Sequence, residues 1–211
     1  MEQGTARFGF VHKTFQEYFA SCWIVRKAVE NFNLDPVKEK LQVHINDAHW
    51  EETLHLTVAG LPITQQVRIV NWIMEEVDPW GVEDLTYSAH TFSMRYLGEH
   101  CKNFSQEYVI EKALDYLAWH IRAWSILSST KYLYSMVVPG LENFTNESVL
   151  ERLGLNLVET FQTVKSYQNE PIITITRLKI KAHLVLSALV ALAENPENSE
   201  SLRRSCASAL G

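Results

Sequence analysis

Apolar residues recur at intervals of three and four along most of this chain, with polar residues between them. This spacing is typical of amphipathic helices, in which one face of each helix is buried. Short segments rich in Asn, Pro and Gly separate the periodic stretches. The clearest apolar stripes are Trp50, Leu54, Val58 and Leu61; Ile63, Val67, Val70, Met74 and Val77; Leu85, Ala89, Phe92 and Tyr96; Ile110, Leu114, Leu117, Ile121 and Trp124; Leu150, Leu153, Leu157 and Phe161; and Leu178, Ala182, Val185, Leu189 and Leu192. The pattern predicts an all-α fold.

The first 31 residues show a different pattern. Arg7–Val11 is short, aromatic and β-branched, which predicts at most one short N-terminal strand. Thr14 and Glu17 have the spacing of a capping box, so we expect a helix to begin there and to end near Asn31. The residues of this helix that we expect to be buried are Phe15, Tyr18, Phe19, Cys22, Val25 and Val29, with Trp23 and Ile24 widening the stripe.

Leu-Gly pairs mark a loose repeat. Leu97-Gly98, Leu153-Gly154 and Leu210-Gly211 each close a predicted helical stretch, about one helix pair apart. A helix pair that cannot bury its own apolar face must stack on the next pair, which is the physical basis of a solenoid. The predicted architecture is therefore a helical array or a HEAT-like α-solenoid.

The composition narrows the function class. The 211 residues are 46% hydrophobic and 21% charged, as in ordinary globular proteins. There are 19 Lys and Arg against 25 Asp and Glu, a net charge of -6, so the basic excess of a nucleic-acid-binding protein is missing. We therefore expect no nucleic-acid partner.

The cysteines and the longest apolar run bear on the compartment. Cys22, Cys101 and Cys206 are odd in number and far apart, which suits a reducing compartment. No secretion signal opens the sequence, and the apolar run 182–193 is shorter than the roughly 20 residues of a bilayer span. We expect a cytoplasmic protein with no membrane partner.

No residue pattern predicts a catalytic or metal site. A Walker A loop requires Lys followed by Ser or Thr after its last glycine. At the candidate position near the N-terminus these two residues are Phe10 and Val11, so the motif is not present there. The histidines at positions 44, 49 and 55 lack the i, i+4 spacing of a helical metal pair. An enzyme acting through Cys22 or Cys101 with a histidine remains an alternative, because proximity in the fold cannot be read from the chain. The position of Cys22 on an apolar stripe favours a buried, inert thiol.

One string is specific enough to suggest a family. Residues 8–20, FGFVHKTFQEYFA, closely resemble the end of the winged-helix region in NACHT-type signalling NTPases of the STAND class. There an aromatic strand runs into His-x-(Ser/Thr)-Phe-Gln-Glu-(Tyr/Phe), which His12–Tyr18 matches. Bacterial members often carry a Trp-x-Glu segment and then Ala-Gly-Leu, and this chain has Trp50-Glu51-Glu52 and Ala59-Gly60-Leu61 in that order.

The resemblance implies two regions and one nucleotide contact. Residues 1–32 would be the end of a winged-helix-like region, and residues 33–211 a helical array that is HEAT-like towards its C-terminus. In the family the matching histidine can contact the β-phosphate of ADP, so His12 would do so only with a nucleotide-binding domain supplied in cis or trans. Because Walker A and Walker B motifs are both missing from this sequence, we expect no cofactor on this chain and ADP or ATP only in a parent protein or complex.

The function implied by the resemblance is that of a non-catalytic regulatory or sensor arm. Such an arm packs on a NACHT nucleotide-binding domain at rest, and an unidentified protein or ligand trigger that prefers the open arrangement releases it. In bacterial members such systems often serve signal transduction or phage defence. The alternative is a free-standing HEAT-like adaptor that binds another protein, in which the motif survives as a structural joint.

Overall fold

A computed structural model describes residues 13–76, 83–127, 133–163, 170–180 and 182–210. Over these ranges the chain forms α-helices and one short 3-10 helix, Cys101–Asn103, and no strand. The helices are α1 (Lys13–Glu30), α2 (Asp35–His44), α3 (Glu51–Ala59), α4 (Ile63–Glu76), α5 (Glu83–Glu99), α6 (Gln106–Leu127), α7 (Leu133–Leu141), α8 (Glu147–Thr163), α9 (Glu170–Arg177), α10 (His183–Glu194) and α11 (Glu200–Leu210). The predicted all-α helical array is confirmed, and the predicted strand lies outside the described residues.

The chain divides into two compact units, Met1–Ser88 and Ala89–Gly211. In the first unit α1 packs on α2 and most extensively on α3. Its core is formed by Ile24, Ala28, Val37, Leu41, Leu54 and Val58, all of them buried. Helices α2 and α4 also meet, since Lys38 Nζ lies 4.8 Å from the ring centre of Trp72. The predicted domain boundary at residue 32 stays a prediction.

In the second unit the helices pack in an alternating order. Helix α8 contacts α6 and α10, and α9 contacts α7 and α11, while the neighbours α6 and α7, α8 and α9, and α10 and α11 also pack in pairs. Helix α5 meets the end of α7, because Arg95 Nε donates a hydrogen bond to Pro139 O at 2.9 Å. Each helix thus stacks on the next but one, which is how a helical array buries apolar faces that single helix pairs leave open.

Two helix boundaries differ from the sequence prediction because of unusual helix ends. Helix α9 stops at Arg177, with Lys179 at φ 54° and hydrogen bonds from Lys179 N to Thr176 O and from Ile180 N to Ile175 O. This is a Schellman motif, whose left-handed position is usually glycine. With Lys there instead, the sequence carries no stop signal, and the predicted stripe from Leu178 through Leu192 is in fact interrupted.

A Pro-Gly pair usually marks a joint between helices, but Pro139 and Gly140 both lie inside α7. Pro139 is near the end of this helix, so it removes only one internal hydrogen bond, and Arg95 binds its carbonyl from α5. The Leu-Gly repeat is also irregular, since Gly98 is one residue from the end of α5 whereas Gly154 lies in the middle of α8. The array is therefore real, but these pairs do not mark its period.

Candidate functional site

The helix that carries the family-like motif, α1, turns its aromatic side chains outward. Phe15, Tyr18, Phe19 and Trp23 are each 53–57% exposed, and Cys22 between them is exposed as well. We call Phe15, Tyr18, Phe19, Cys22 and Trp23 the aromatic ridge. The prediction that these residues form the core is wrong. The buried face of α1 consists instead of Glu17, Ser21, Ile24 and Ala28.

Side-chain size, rather than hydrophobicity, determines which face of α1 is buried. Ser21 and Ala28 are small, so α1 can lie close to its neighbours, and the Ser21 hydroxyl donates to Tyr18 O at 2.7 Å. The buried Glu17 carboxylate pairs with Lys13 Nζ at 3.1 Å. Four large aromatic side chains on this face would force the helices apart. The polar atoms that face inward are satisfied locally, which makes their burial tolerable.

Gly60 lies where the two family-like segments, the motif helix α1 and Ala59–Leu61, pack together. It caps the end of α3, and a Cβ on it would lie 3.0 Å from Val25 Cγ2 of α1, so the α3 end and α1 approach closely here. The Gln66 amide donates to Leu61 O at 2.6 Å and holds the turn that follows. Trp50, which begins the Trp-x-Glu segment, precedes α3 and stacks on His44 with ring centres 3.9 Å apart. The segment Ala59–Leu61 therefore packs on the motif helix.

The ridge has its own internal geometry. The rings of Tyr18 and Phe19 meet edge to face at 5.6 Å. A hydrogen bond between the Tyr18 hydroxyl and the Cys22 thiol raises the pKa of Tyr18 above its ordinary value. Lys27 Nζ lies 5.9 Å from the ring centre of Trp23. The outward face thus continues unbroken over more than two helical turns, and contiguous exposed apolar surface of this kind marks interaction sites.

Beyond the ridge, the same face ends in an ion pair and a strained residue. Arg26 Nε donates to Glu30 Oε1 at 2.6 Å, and this contact lowers the pKa of Glu30. Helix α1 closes with a second Schellman motif, in which Asn33 N binds Ala28 O and Phe32 takes the left-handed position at φ 48°. Phe32 is 91% exposed. A bulky residue with this backbone conformation is uncommon.

His12, the residue predicted to contact nucleotide, lies outside the described residues, so its role stays a prediction. The predicted capping box is wrong: Thr14 lies inside α1, and Glu17 pairs with Lys13 instead of reaching back to the helix start. Asp47, a residue type that often caps helices, does not cap α3. Its Oδ1 accepts a hydrogen bond from His49 N at 2.9 Å, within the turn before Trp50.

Two buried histidines escaped the sequence analysis. His90 of α5 and His120 of α6 are both buried. The ring centre of Trp119 lies 4.9 Å from that of His90 and 4.7 Å from that of His120. His120 Nδ1–H donates to Tyr116 O at 2.8 Å. Burial lowers the pKa of His120 to about 3. The only available signal was that His120 follows Tyr116 by four residues on the buried side of a strongly apolar helix.

The described residues offer no metal site, since no three His, Cys, Asp or Glu side chains among them are grouped to hold an ion. Cys101 begins the 3-10 helix directly after His100 and is half-buried. Cys206 is buried, which raises the pKa of its thiol. Across the described ranges, no helix combines the length and the apolar character needed to cross a bilayer.

Comparison with known protein families, curated proteins and solved structures gives no match for this chain.

The orientation of α1 predicts a specific order of thiol reactivity. In the folded protein we expect Cys22 to react with a maleimide first, Cys101 more slowly, and Cys206 only after unfolding, because thiolate access follows exposure and pKa. Mass spectrometry of a labelling time course measures this order. Protection of Cys22 in dilute native protein would contradict the outward orientation of α1.

Proposed function

We propose that this chain is a non-catalytic regulatory arm of a NACHT-like signalling NTPase, and that it packs on the nucleotide-binding domain through the aromatic ridge. One observation carries the proposal: the aromatic residues of the family-like motif are on the solvent side of α1, while its small residues face α2 and α3. A helix that exposes four aromatic side chains is suited to a protein partner.

The energetics support docking rather than permanent exposure. Each aromatic side chain of the ridge has roughly 100 Å² of surface exposed to solvent. Burying this surface would contribute on the order of 2 kcal/mol to binding, before the costs of association are subtracted. The first unit supplies a firm base for the ridge, because α1 is anchored along its opposite face by α2, α3 and the Gly60 turn. A ridge held on a rigid base loses little conformational entropy on binding.

The proposed mechanism is a shift between two populations. At rest the ridge lies on the ADP-bound nucleotide-binding domain, with His12 near the β-phosphate, and a trigger that prefers the open state releases it. An imidazole that donates to a phosphate makes the contact depend on the bound nucleotide. The role of His12 rests on the motif alone. In this scheme the chain itself holds no nucleotide tightly, and its trigger is an unidentified protein or ligand.

A binding experiment tests the proposal. The partner is the P-loop domain that the proposal places in the same polypeptide or in a neighbouring gene, purified with ADP. We expect no ADP binding by the chain alone and micromolar or tighter binding to the ADP-loaded domain by calorimetry. Phe19→Ala and Trp23→Ala are each expected to weaken this binding by about 10- to 100-fold, as central aromatic contacts do.

Leu184→Ala is the matched control, because Leu184 is an equally exposed apolar side chain on α10 in the second unit. We expect it to leave the affinity unchanged. Tight ADP binding by the isolated chain, or full affinity in both ridge variants, would overturn the proposal. A loss with Leu184→Ala and none with the ridge variants would favour the adaptor, because binding would then map to the helical array.

A further inference from the structure

We propose that the aromatic ridge also pairs with the ridge of a second copy of this chain, in an antiparallel two-fold arrangement centred on Cys22. This inference goes beyond the proposed function and does not depend on it, because the isolated chain contains everything that the pairing needs.

The register follows from the order of residues along the exposed face. With Cys22 on the two-fold axis, Tyr18 of one copy lies opposite Arg26 of the other, and Phe15 lies opposite Val29, because each pair is equally spaced about position 22. All four are exposed and share one face of α1. A two-fold interface requires such self-complementarity, since residue i must meet residue j in both directions.

The chemistry of the opposed pairs is favourable. The Arg26 guanidinium of one copy reaches the Tyr18 ring of the other, a cation–π contact that forms twice. Phe15 and Val29 make an apolar contact, also twice. In a parallel arrangement Arg26 would instead meet Arg26, and both cation–π contacts would be lost. The observed order of side chains therefore selects the antiparallel register.

The area is sufficient for a reversible dimer. On each copy the four half-exposed aromatic side chains present roughly 400 Å² of solvent-accessible surface. Cys22, Arg26 and Val29 raise this accessible area to roughly 600 Å². Two copies then bury about 1,200 Å², the lower end of the range for specific protein interfaces. We therefore expect a micromolar, concentration-dependent dimer.

The charge of the face favours a protein partner over a membrane surface. The chain carries a net charge of -6, yet the charges of Arg26 and Glu30 on this face cancel by direct pairing. Two copies can thus approach face to face without strong repulsion. A helix that binds an anionic bilayer needs a band of basic residues beside its apolar face. On the described part of α1, Lys13 is paired with Glu17 and Lys27 lies over the Trp23 ring, so these residues do not form such a band.

Analytical ultracentrifugation and cross-linking of the full chain test the pairing. We expect the average mass to rise from monomer towards dimer between about 5 and 200 μM. In a Cys101→Ser background, diamide is expected to join two Cys22 thiols: the thiols transfer two protons and two electrons to the N=N group of diamide, which becomes the hydrazine, and an S–S bond forms. The cross-linked fraction should rise with protein concentration.

Charge substitutions test the register. Phe15→Glu is expected to weaken dimerisation at least 10-fold, and the double variant Phe15→Glu with Val29→Lys to restore it, since the two new charges meet only across an antiparallel dimer. Leu184→Glu, on the exposed face of α10, is the matched control and should leave the dimer intact. Circular dichroism checks that each variant is folded, and Trp23→Glu provides a second disrupting variant should Phe15→Glu unfold the chain.

Three results would overturn the proposal. The first is a monomer at all concentrations up to about 200 μM. The second is a dimer that is insensitive to both ridge variants. The third is a monomer in solution that co-sediments with vesicles of neutral and anionic phospholipid through the ridge, which would assign this face to a membrane.

Discussion

Gly140→Ala is expected to destabilise the second unit by about 2 kcal/mol or more, although alanine is the better helix former by about 1 kcal/mol. A Cβ at residue 140 in α7 would meet the Oη and Cζ atoms of Tyr116, the latter at 2.5 Å. Tyr116 is fully buried, so its ring cannot swing into solvent to make room. Urea unfolding monitored by circular dichroism measures the loss.

Two other helical glycines make this a graded series. A Cβ at Gly154 in α8 would lie 2.6 Å from Val185 Cγ2, so Gly154→Ala should also destabilise, by about 1–3 kcal/mol. At Gly98 the nearest atoms, in Asn143, are 3.1 Å away, and Gly98→Ala should be close to neutral. Adding Val185→Ala to Gly154→Ala removes the opposing methyl groups, so the double variant should lose less stability than the sum of the single losses.

A neutral or stabilising effect of both Gly140→Ala and Gly154→Ala would contradict the close helix approaches in the second unit. The expected order also separates packing from propensity, because helix propensity alone predicts the same gain at all three positions.

Acid should destabilise the second unit through His120. Burial is the main cause of its low pKa of about 3, against 6.5 for an ordinary histidine. Between these two values the unfolded chain binds a proton at this residue and the folded chain does not. Stability is therefore lost as the pH falls through this window, by about 1.4 kcal/mol per pH unit well below the unfolded value. From pH 7 to pH 5 the expected loss is about 2 kcal/mol.

The measurement is the free energy of unfolding in urea at pH 7 and pH 5, for the wild type and two histidine variants. His120→Gln should reduce the difference between the two pH values by about 2 kcal/mol, whatever its effect on absolute stability. His49→Gln is the matched control, since the His49 side chain is 88% exposed, and should keep the full difference. An unchanged pH difference in His120→Gln would show that this residue is not the source.

The helices themselves were largely predictable from the chain. The stripes of α4, α5, α6 and α8 repeat strictly enough for the period to define these helices. The end of α1 was predicted near Asn31 and lies at Glu30, with Phe32 in a left-handed position just beyond it. The end of α9 was missed because Lys179 occupies the left-handed position that usually belongs to glycine. Pro139 was misplaced because a proline near the end of a helix removes only one internal hydrogen bond and can remain inside it.

The candidate site was predicted only as a motif. The string around His12–Tyr18 was visible in the sequence, but its aromatic residues were placed in the core, because hydrophobicity was the only available guide to burial. The buried pair His90 and His120 was not predicted at all. They come from different helices, and only folding brings both rings against Trp119.

By itself, the amino-acid sequence determined the all-α class, most helix positions and the location of the family-like motif, because these depend on the spacing of residues within one helix. The tertiary structure decided which face of α1 is buried. Two faces of that helix can pack, and the outcome depends on the space that α2, α3 and Gly60 leave for Ser21 and Ala28. The space at a helix crossing depends on the side-chain volumes of both helices, so the residue pattern of one helix does not specify which face is buried.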